Sequence, residues 1–257
     1  MKKIILGHTG VVGTTLMERN KYDLLYNSSN INDFIHQVMD GDELTLCCLP
    51  ATKWLVNKDP GADLNNIKNI IEIISQKKYS KVILISTIDV YSDSPLQVDE
   101  NHSPNIKSLS YGSNRYLFEL MVREYVKTDD LKIFRLPALF GKHIKKNILY
   151  DLLHDNNVSS INIDSSFQWY DLDLLNLDIQ KYCEYYPSRT LFNFFTEPLH
   201  TSFILELFPH LKEKIIYFKH DSIRYDYKTI YSAGGYMYNK NQIFNSIKKF
   251  VDGFSSK

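Results

Sequence analysis

Three glycines near the amino terminus have a spacing that can hold a phosphate group. Gly7, Gly10 and Gly13 follow the apolar residues 4–6 and open a stretch with helical patterning. Gly7 permits a tight turn, Gly10 lets a pyrophosphate approach the backbone, and Gly13 allows close helix–strand packing. Backbone N–H groups and the helix dipole then attract the phosphate charge. The pattern predicts a dinucleotide site rather than a purely structural turn, with the contacts Gly7, Thr9, Gly10, Val11, Val12 and Gly13.

The segment after the second predicted strand bears on which cofactor binds. NAD-selective sites usually place Asp or Glu there, to hold the ribose 2′-OH. This chain has Asn27, Ser28 and Ser29 instead, with no acid and no arginine. Small hydroxyl and amide groups accept a 2′-phosphate without charge repulsion. The segment therefore favours NADP over NAD, and its alternative interpretation is an ordinary polar loop.

Hydroxyl groups and a cation form a second reactive set. An apolar run over 82–85 ends in Ser86 and Thr87, and Asp89 follows. Tyr111 and Arg115 are four residues apart, so on a helix they face the same side.

Alternating apolar runs predict the elements that must position these groups. Strands are predicted over 2–6, 22–26, 42–49, 81–86 and 131–136, and helices over 11–19, 64–76 and 111–127. Strands separated by helices indicate a parallel sheet that is covered on both faces. We therefore expect an α/β fold, a Rossmann-like doubly wound parallel sheet with a small C-terminal substrate lobe.

The alternation weakens after residue 142. Helices are predicted over 145–154, 172–185 and 241–251, with late strands that return to the sheet. This pattern predicts a dinucleotide-binding Rossmann domain over 1–142 and a substrate-binding lobe over 143–257.

Taken together, the motifs resemble those of the extended short-chain dehydrogenase/reductase superfamily, in its NAD(P)-dependent sugar epimerase/dehydratase branch. The matching pieces are Gly7-x-x-Gly10-x-x-Gly13, Ser86-Thr87-x-x-Val90-Tyr91, Tyr111-x-x-x-Arg115 and the turn Arg135-Leu136-Pro137-Ala138-Leu139-Phe140-Gly141. They occur in the family's order and cover residues 1 to about 180.

The resemblance implies a role for each matched residue. Thr87 would hydrogen-bond the substrate hydroxyl or carbonyl group, and Tyr111 would be the general acid/base while hydride passes to or from the nicotinamide. Contacts with the cofactor are implied for Leu49, Pro50 and Ala51, on the adenosine-ribose side, and for Pro137.

Arg115 departs from the family pattern, which has lysine at this position. Arginine keeps the positive charge and so still favours a phenolate, but its planar fork is bulkier than an ammonium group. We interpret Tyr-x-x-x-Arg as a variant in which Arg115 takes over the role that the resemblance implies for the lysine, which is to bind the nicotinamide ribose and to lower the pKa of the tyrosine.

Asp89 is the only acid that follows Thr87 closely. Dehydratases of this family place two acids directly after the threonine, whereas Ile88 occupies the first of these positions here. A 4,6-dehydratase is therefore disfavoured. Asp89 is either a polar anchor at the strand end or an acid/base that contacts the substrate.

Candidate substrate contacts lie in the second half of the chain. By the resemblance, Lys145 and Asn147 would complement the diphosphate of a sugar nucleotide. Gln168 and Trp169 could donate to a base or sugar ring and stack on it. The alternatives are a solvated helix start and a packed strand that joins the two lobes.

Composition narrows the class of protein. Lys plus Arg and Asp plus Glu both number 30, so no global basic field recruits nucleic acid or an anionic membrane. The three cysteines have no metal-ligand spacing, and their odd number favours a reducing, cytoplasmic setting. A homodimer is an expectation that the family resemblance adds.

The main hypothesis is thus an NAD(P)-dependent oxidoreductase or epimerase of carbohydrate biosynthesis, acting on a nucleotide-activated or phosphorylated sugar. The alternative is a catalytically weakened NAD(P)-binding scaffold or sensor, for which the arginine at position 115 is the main support.

Overall fold

A computed structural model describes residues 1–215 and 222–255 of the chain. They form two compact units, each assembled from several chain segments. The first unit comprises Met1–Pro95, His102–Arg135 and Leu175–Phe192. The second comprises Leu96–Asn101, Leu136–Leu174 and the described residues from Asn193 onward. No single boundary at residue 142 separates the two, because the chain passes from one unit to the other several times.

The strands and helices follow in chain order. The strands are β1 (Lys3–Leu6), β2 (Leu24–Tyr26), β3 (Glu43–Leu46), β4 (Lys78–Tyr79), β5 (Lys81–Thr87), β6 (Lys127–Thr128), β7 (Leu131–Leu136), β8 (Ala138–Phe140), β9 (Ser166–Phe167), β10 (Trp169–Asp171), β11 (Leu191–Asn193) and β12 (Leu199–His200). The helices are α1 (Val11–Arg19), α2 (Phe34–Gln37), α3 (Lys53–Lys58), α4 (Pro60–Ile74), α5 (Tyr111–Tyr125), α6 (Ile148–Leu153), α7 (Leu175–Tyr185), α8 (Thr201–Leu205) and α9 (Lys240–Ser255).

A six-stranded parallel sheet with the order β11-β7-β5-β3-β1-β2 organises the fold. Ile4 of β1 pairs with Leu44 of β3 on one side and with Leu24 of β2 on the other. The order reverses at β1, as in doubly wound sheets. The predicted Rossmann-like α/β fold is confirmed.

The β2 edge of the sheet is shorter than in the common doubly wound order 3-2-1-4-5-6, which has a further strand outside its second one. Here the sheet ends at β2, and the chain returns to β3 through a single 3₁₀ turn (Ile31–Asp33) and α2.

Apolar runs place the main strands in the core. Ile4, Ile5 and Leu6 are at most 1% exposed, so β1 is buried on both faces. On α4, Ile67 and Ile74 are fully buried at helical spacing and pack into the same cluster as β1 and β5.

Caps fix where the two helices of the candidate site begin. The Asp59 side chain accepts a hydrogen bond from the Ala62 N–H at 2.9 Å, and Pro60 occupies the first turn, so α4 starts before the predicted residue 64. Ser110 and Ser113 form a reciprocal capping box that begins α5 at Tyr111.

The second unit has its own core. β8 pairs with β10 in parallel, β9 pairs with β12 antiparallel, and Phe140, Trp169 and Ile247 lie in one buried cluster. Among the helices within 1–215 and 222–255, none is both long and apolar enough to cross a membrane.

Candidate active site

The glycine loop leaves the sheet at the point where the strand order reverses. The Cys47 N–H, at the end of β3, donates to the Leu6 carbonyl oxygen at 2.9 Å, and the Gly7 N–H donates to the Tyr26 carbonyl oxygen at 2.7 Å. In doubly wound sheets, ligands bind outside the carboxyl ends of the strands at this switch point. The loop therefore lies where this fold accommodates a nucleotide.

Two of the three glycines are required by the packing of the protein itself. Gly7 has a φ of +102°, and a Cβ there would lie 2.3 Å from the Cys47 carbonyl oxygen. A Cβ on Gly13 would lie 2.2 Å from the Gly7 carbonyl oxygen. Neither position accepts a side chain, whatever binds outside the loop.

Gly10 differs, because the protein leaves room for a side chain there. A Cβ would lie 3.5 Å from the Gly7 carbonyl oxygen, an ordinary contact, and its backbone is extended. Gly10 is the N-cap of α1, whose first turn contains no acidic residue. Thr9 is exposed, and Val11 and Val12 are half-buried. A bare backbone at the positive end of a helix dipole fits a pyrophosphate.

The polar loop after β2 is tied together by its own side chains. Asn27 Oδ1 accepts hydrogen bonds from the Ser29 N–H at 2.8 Å and from the Ser29 hydroxyl at 2.6 Å. Asn30 Oδ1 accepts one from the Asn27 N–H at 2.8 Å. Ser28 and Ser29 are exposed. The loop is thus an ordered polar surface, and cofactor contacts from Asn27, Ser28 and Ser29 stay a prediction.

Tyr111 lies in the first turn of α5. Its N–H donates to Asn57 Oδ1 at 2.7 Å, which ties α5 to the end of α3. Its side chain is 9% exposed. The phenol is therefore held in a largely dry environment.

Arg115 lies one turn later and forms a buried ion pair with Asp63. Nη1 donates to Asp63 Oδ2 at 2.8 Å, and Nη2 donates to Asp63 Oδ1 at 3.2 Å. Nη2 also donates to the Pro50 carbonyl oxygen at 2.7 Å. The two side chains are 6% and 5% exposed, and the guanidinium carbon lies 4.5 Å from the centre of the Tyr111 ring. The helical spacing thus brings Tyr111 and Arg115 together.

Asn114 completes the cluster around Asp63. Its Nδ2 donates to Asp63 Oδ2 at 2.9 Å and to the Pro60 carbonyl oxygen at 2.8 Å. Its fully buried Oδ1 has no hydrogen-bond partner within the part of the chain that the structure describes. Sequence reasoning missed Asp63 and Asn114. The only available signal was a carboxylate in the first turn of α4, which the helix dipole explains without any partner.

Thr87 is the last residue of β5, and Asp89 lies in the 3₁₀ turn over Ile88–Tyr91 that follows. Thr87 Oγ1 accepts a hydrogen bond from the Asp89 N–H at 3.2 Å. Asp89 Oδ1 lies 2.6 Å from Lys53 Nζ, with side chains 15% and 47% exposed. Lys53, at the start of α3, thus contributes a second cation that acts on the phenol.

Burial raises the pKa of the Tyr111 hydroxyl above its usual value. The positive charge of Arg115 opposes this effect, Asp89 adds to it, and a hydrogen bond from Arg115 and the charge of Lys53 oppose it. Burial dominates, so the phenol stays protonated at neutral pH.

The segment after β3 contributes backbone atoms rather than reactive thiols. Burial raises the pKa of Cys48 to about 12, although Arg115 opposes the change, and burial also raises the pKa of Cys47. Pro50 and Ala51 are exposed, and Leu49 is half-buried. Their cofactor contacts stay a prediction, and Pro50 has a second use as an acceptor for Arg115.

The second unit holds the remaining predicted contacts. Pro137 is buried and Lys145 is exposed. Asn147 caps α6, since its Oδ1 accepts from the Tyr150 N–H at 3.0 Å and its Nδ2 donates to the Leu139 carbonyl oxygen at 2.8 Å. The cap gives Asn147 a structural role, and the ligand contacts of Pro137, Lys145 and Asn147 stay predictions.

Gln168 and Trp169 are also buried in the second unit, each about 1% exposed. Gln168 Nε2 donates to the Thr196 and Tyr227 carbonyl oxygens at 2.6 and 2.8 Å, and Oε1 accepts from the Tyr227 N–H at 2.8 Å. Trp169 Nε1 has no partner among residues 1–215 and 222–255. These bonds show Gln168 packed within the second unit, and the substrate contacts of Gln168 and Trp169 stay predictions.

A second arginine pair, also missed from the sequence, lies beneath the site. Arg135 Nε and Nη2 donate to Glu119 at 3.0 and 2.6 Å, and Nη1 donates to the Tyr91 hydroxyl at 2.5 Å. The Ser86 hydroxyl donates to the same Glu119 at 2.5 Å. This network joins β5, β7 and α5.

Comparison with solved structures shows the same fold. MoeE5 in complex with UDP-glucose and NAD aligns with a TM-score of 0.76 and 11% identity, covering 100% of this chain and 99% of that chain. UDP-glucuronic acid 4-epimerase from Bacillus cereus, a mutant in complex with NAD and a fluorinated UDP-sugar, has a TM-score of 0.74 and 13% identity over 100% and 99%. The dTDP-4-dehydrorhamnose reductase from Bacillus anthracis in complex with NADP has a TM-score of 0.65 and 16% identity over 99% of each chain.

At these identities the likeness concerns the fold, which spans both units of the chain. No protein-family model and no curated protein matches the sequence.

Proposed function

We propose that this protein is an NAD(P)-dependent oxidoreductase or epimerase that acts on a nucleotide-activated or phosphorylated sugar. The observation that carries the proposal is the buried Tyr111, stacked against Arg115 in the unit that also holds the bare Gly10 loop. The similar solved structures, with bound NAD or NADP and in two cases a UDP-sugar, support the same class of reaction.

The residues that would hold the cofactor lie at the switch point of the sheet. Backbone N–H groups of Gly10, Val11 and Val12 would bind the pyrophosphate, and the loop from Asn27 to Ser29 would face the adenosine ribose. NADP or NAD, when bound, supplies or accepts hydride at its nicotinamide ring. The absence of an acid in the Asn27 loop favours NADP.

Tyr111 would move the proton that accompanies the hydride. A phenol is a suitable acid/base for an alcohol or carbonyl oxygen. Thr87 Oγ1 already accepts the Asp89 N–H, so its own hydroxyl hydrogen points elsewhere and would donate to the same substrate oxygen.

Asp89 would act as an anchor and not as a dehydratase acid. It is paired with Lys53, and the buried Ile88 occupies the position where an acid pair would begin. Lys145 and Asn147 remain candidates for the substrate phosphate. A cytoplasmic homodimer completes the proposal, and the free thiols of all three cysteines fit a reducing compartment.

Titration calorimetry with NAD(H) and NADP(H) tests the cofactor site, with Gly10→Val as the key variant. Because a Cβ at Gly10 would make only an ordinary contact within the protein, we expect the variant to fold and its methyl groups to block the approach of a phosphate. We expect roughly micromolar binding of one cofactor, weakened at least tenfold in the variant.

Gly253→Ala is the matched control, because a Cβ there meets no atom within 4 Å and the residue lies in α9 of the second unit. It should bind like the wild type. A folded wild-type protein that binds neither cofactor would overturn the proposal. With the cofactor known, nucleotide sugars and sugar phosphates can be screened for turnover.

A further inference from the structure

The cation beside Tyr111 is neutralised by its own partner. Arg115 has five N–H donors, of which three are used on Asp63 and Pro50. The remaining donors are one hydrogen on Nη1 and the hydrogen on Nε. The fork is therefore fixed from behind by Asp63, while its face lies against the Tyr111 ring at 4.5 Å.

Among the residues that the structure describes, the charges that act on the phenol belong to two such pairs. Arg115 of α5 is matched by Asp63 of α4, and Lys53 of α3 is matched by Asp89 after β5. The Cys48 thiol, which also feels Arg115, stays neutral because burial raises its pKa to about 12. Each of the two cations that act on Tyr111 thus has a carboxylate partner, which weakens its effect on the phenol.

We propose that Asp63 is a positioning residue that neutralises Arg115 and thereby keeps Tyr111 a neutral proton donor, so that the site reduces a sugar carbonyl group. This inference rests on the proposed function and narrows it. An isolated cation in contact with the phenol would favour the phenolate, the form needed to remove a proton from an alcohol. Because Arg115 is paired with the buried Asp63 carboxylate, its stabilisation of the phenolate is reduced.

The corresponding reaction is balanced without a further reagent. Hydride from the dihydronicotinamide adds to the carbonyl carbon, and the carbon–oxygen π bond breaks toward oxygen. The Tyr111 O–H proton goes to that oxygen, which yields an alcohol and the oxidised cofactor. Water then returns a proton to the phenolate. An epimerase would have to begin with the opposite step, in which a phenolate would take the hydroxyl proton of an alcohol while the oxidised cofactor would accept the hydride.

The shift in the pKa of Tyr111 agrees with a neutral phenol. Burial raises the pKa of Tyr111, and the opposing effects of Arg115 and Lys53 do not reverse the shift. The acid form is thus present at neutral pH, and reduction should proceed there without prior ionisation of the site.

NMR of the full chain carrying ¹³Cζ-labelled tyrosine measures this property without any substrate. The Tyr111 resonance is the one that disappears in Tyr111→Phe. In the wild type we expect no ionisation of Tyr111 below about pH 10, the ordinary value for tyrosine.

Asp63→Asn tests the pairing. It leaves the Arg115 charge uncompensated, so the pKa of Tyr111 should fall by about one to three units. Asp63→Glu restores the charge and should restore the high pKa, a rescue that a purely steric role would not predict.

Two results would overturn the proposal. One is a wild-type Tyr111 that ionises below about pH 8, well under its ordinary value, a result that needs no folded variant. The other is a folded Asp63→Asn in which the titration does not move. Failure of the broader function is separable, since it would appear as absent cofactor binding while the tyrosine titration still follows these expectations.

Discussion

Two buried arginine–carboxylate pairs, each with one member on α5, have nearly the same chemistry and different surroundings. In both Arg115–Asp63 and Arg135–Glu119, the guanidinium group donates two hydrogen bonds to the carboxylate. The guanidinium carbon lies 4.5 Å from the ring centre of Tyr111 in the first pair and 4.8 Å from that of Tyr91 in the second. Their side chains are 6% and 5% exposed in the first pair, and 2% and 1% in the second.

The difference lies in what else each pair binds. Glu119 also accepts a hydrogen bond from the Ser86 hydroxyl, and Arg135 also donates to the Tyr91 hydroxyl, so the partners come from β5, β7, α5 and the 3₁₀ turn that follows β5. The Arg115 pair instead binds the Pro50 carbonyl oxygen and lies against Tyr111, beside an Asn114 Oδ1 that has no partner among the described residues. Both guanidinium groups use three of their five N–H donors on these partners, so the two pairs differ in the partners and not in the number of bonds.

The largest expected loss of stability follows from a substitution at Glu119. Glu119→Gln leaves the Arg135 charge buried without compensation, so the free energy of unfolding should fall by about 3–5 kcal/mol. Urea denaturation measures it. Glu124→Gln, an exposed carboxylate on the same helix, should change it by no more than about 0.5 kcal/mol. Equal effects at the two positions would refute the framework role.

A smaller effect is expected when the two tyrosines are compared. Tyr91→Phe removes the acceptor of Arg135 Nη1 and should lower the free energy of unfolding by about 1–3 kcal/mol. Tyr111→Phe should cost less than about 1 kcal/mol but abolish turnover with the cofactor still bound. Thermal unfolding, together with steady-state assays once a substrate is known, separates the two. Undiminished turnover in Tyr111→Phe would contradict its role as acid/base.

The smallest expected loss of stability tests what holds the Arg135–Glu119 network together. Ser86→Ala removes one of the three donors to Glu119 and should cost only about 0.5–1.5 kcal/mol, because the arginine fork remains. Ser75→Ala, which removes a hydroxyl bonded to the Glu72 carbonyl oxygen in the last turn of α4, is the matched control. A loss in Ser86→Ala as large as that in Glu119→Gln would mean that Ser86, rather than the charge pair, holds the network.

The sheet was predictable because its strands are short apolar runs. The predicted 131–136 coincides with β7, and 81–86 ends one residue before β5 does. Short elements were missed, among them α3, because its three apolar residues are consecutive and show no helical period. The start of α4 was placed too late because the pattern of isoleucines begins only after its cap at Asp59.

The candidate site was predictable only where spacing is local. Tyr111 and Arg115 belong to one helical turn, so their contact follows from sequence. Asp63 and Arg115 are separated by 52 residues, and no periodicity relates them. Gln168 was predicted to contact a ligand because it is a polar residue among aromatic ones. In the structure its amide is hydrogen-bonded to the backbone of Thr196 and Tyr227, two residues that are distant in sequence.

The edge of the sheet at β2 has a consequence for how such chains change length during evolution. The connection from β2 to β3 runs outside the switch point, and it has been reduced here to a 3₁₀ turn and the four-residue α2. A whole strand–helix unit can therefore be gained or lost at this margin without altering the register of β1 against β3. We expect insertions and deletions in this connection to disturb the sheet little, whereas the Gly7–Gly13 loop packs closely against the end of β3 and should tolerate no change in length.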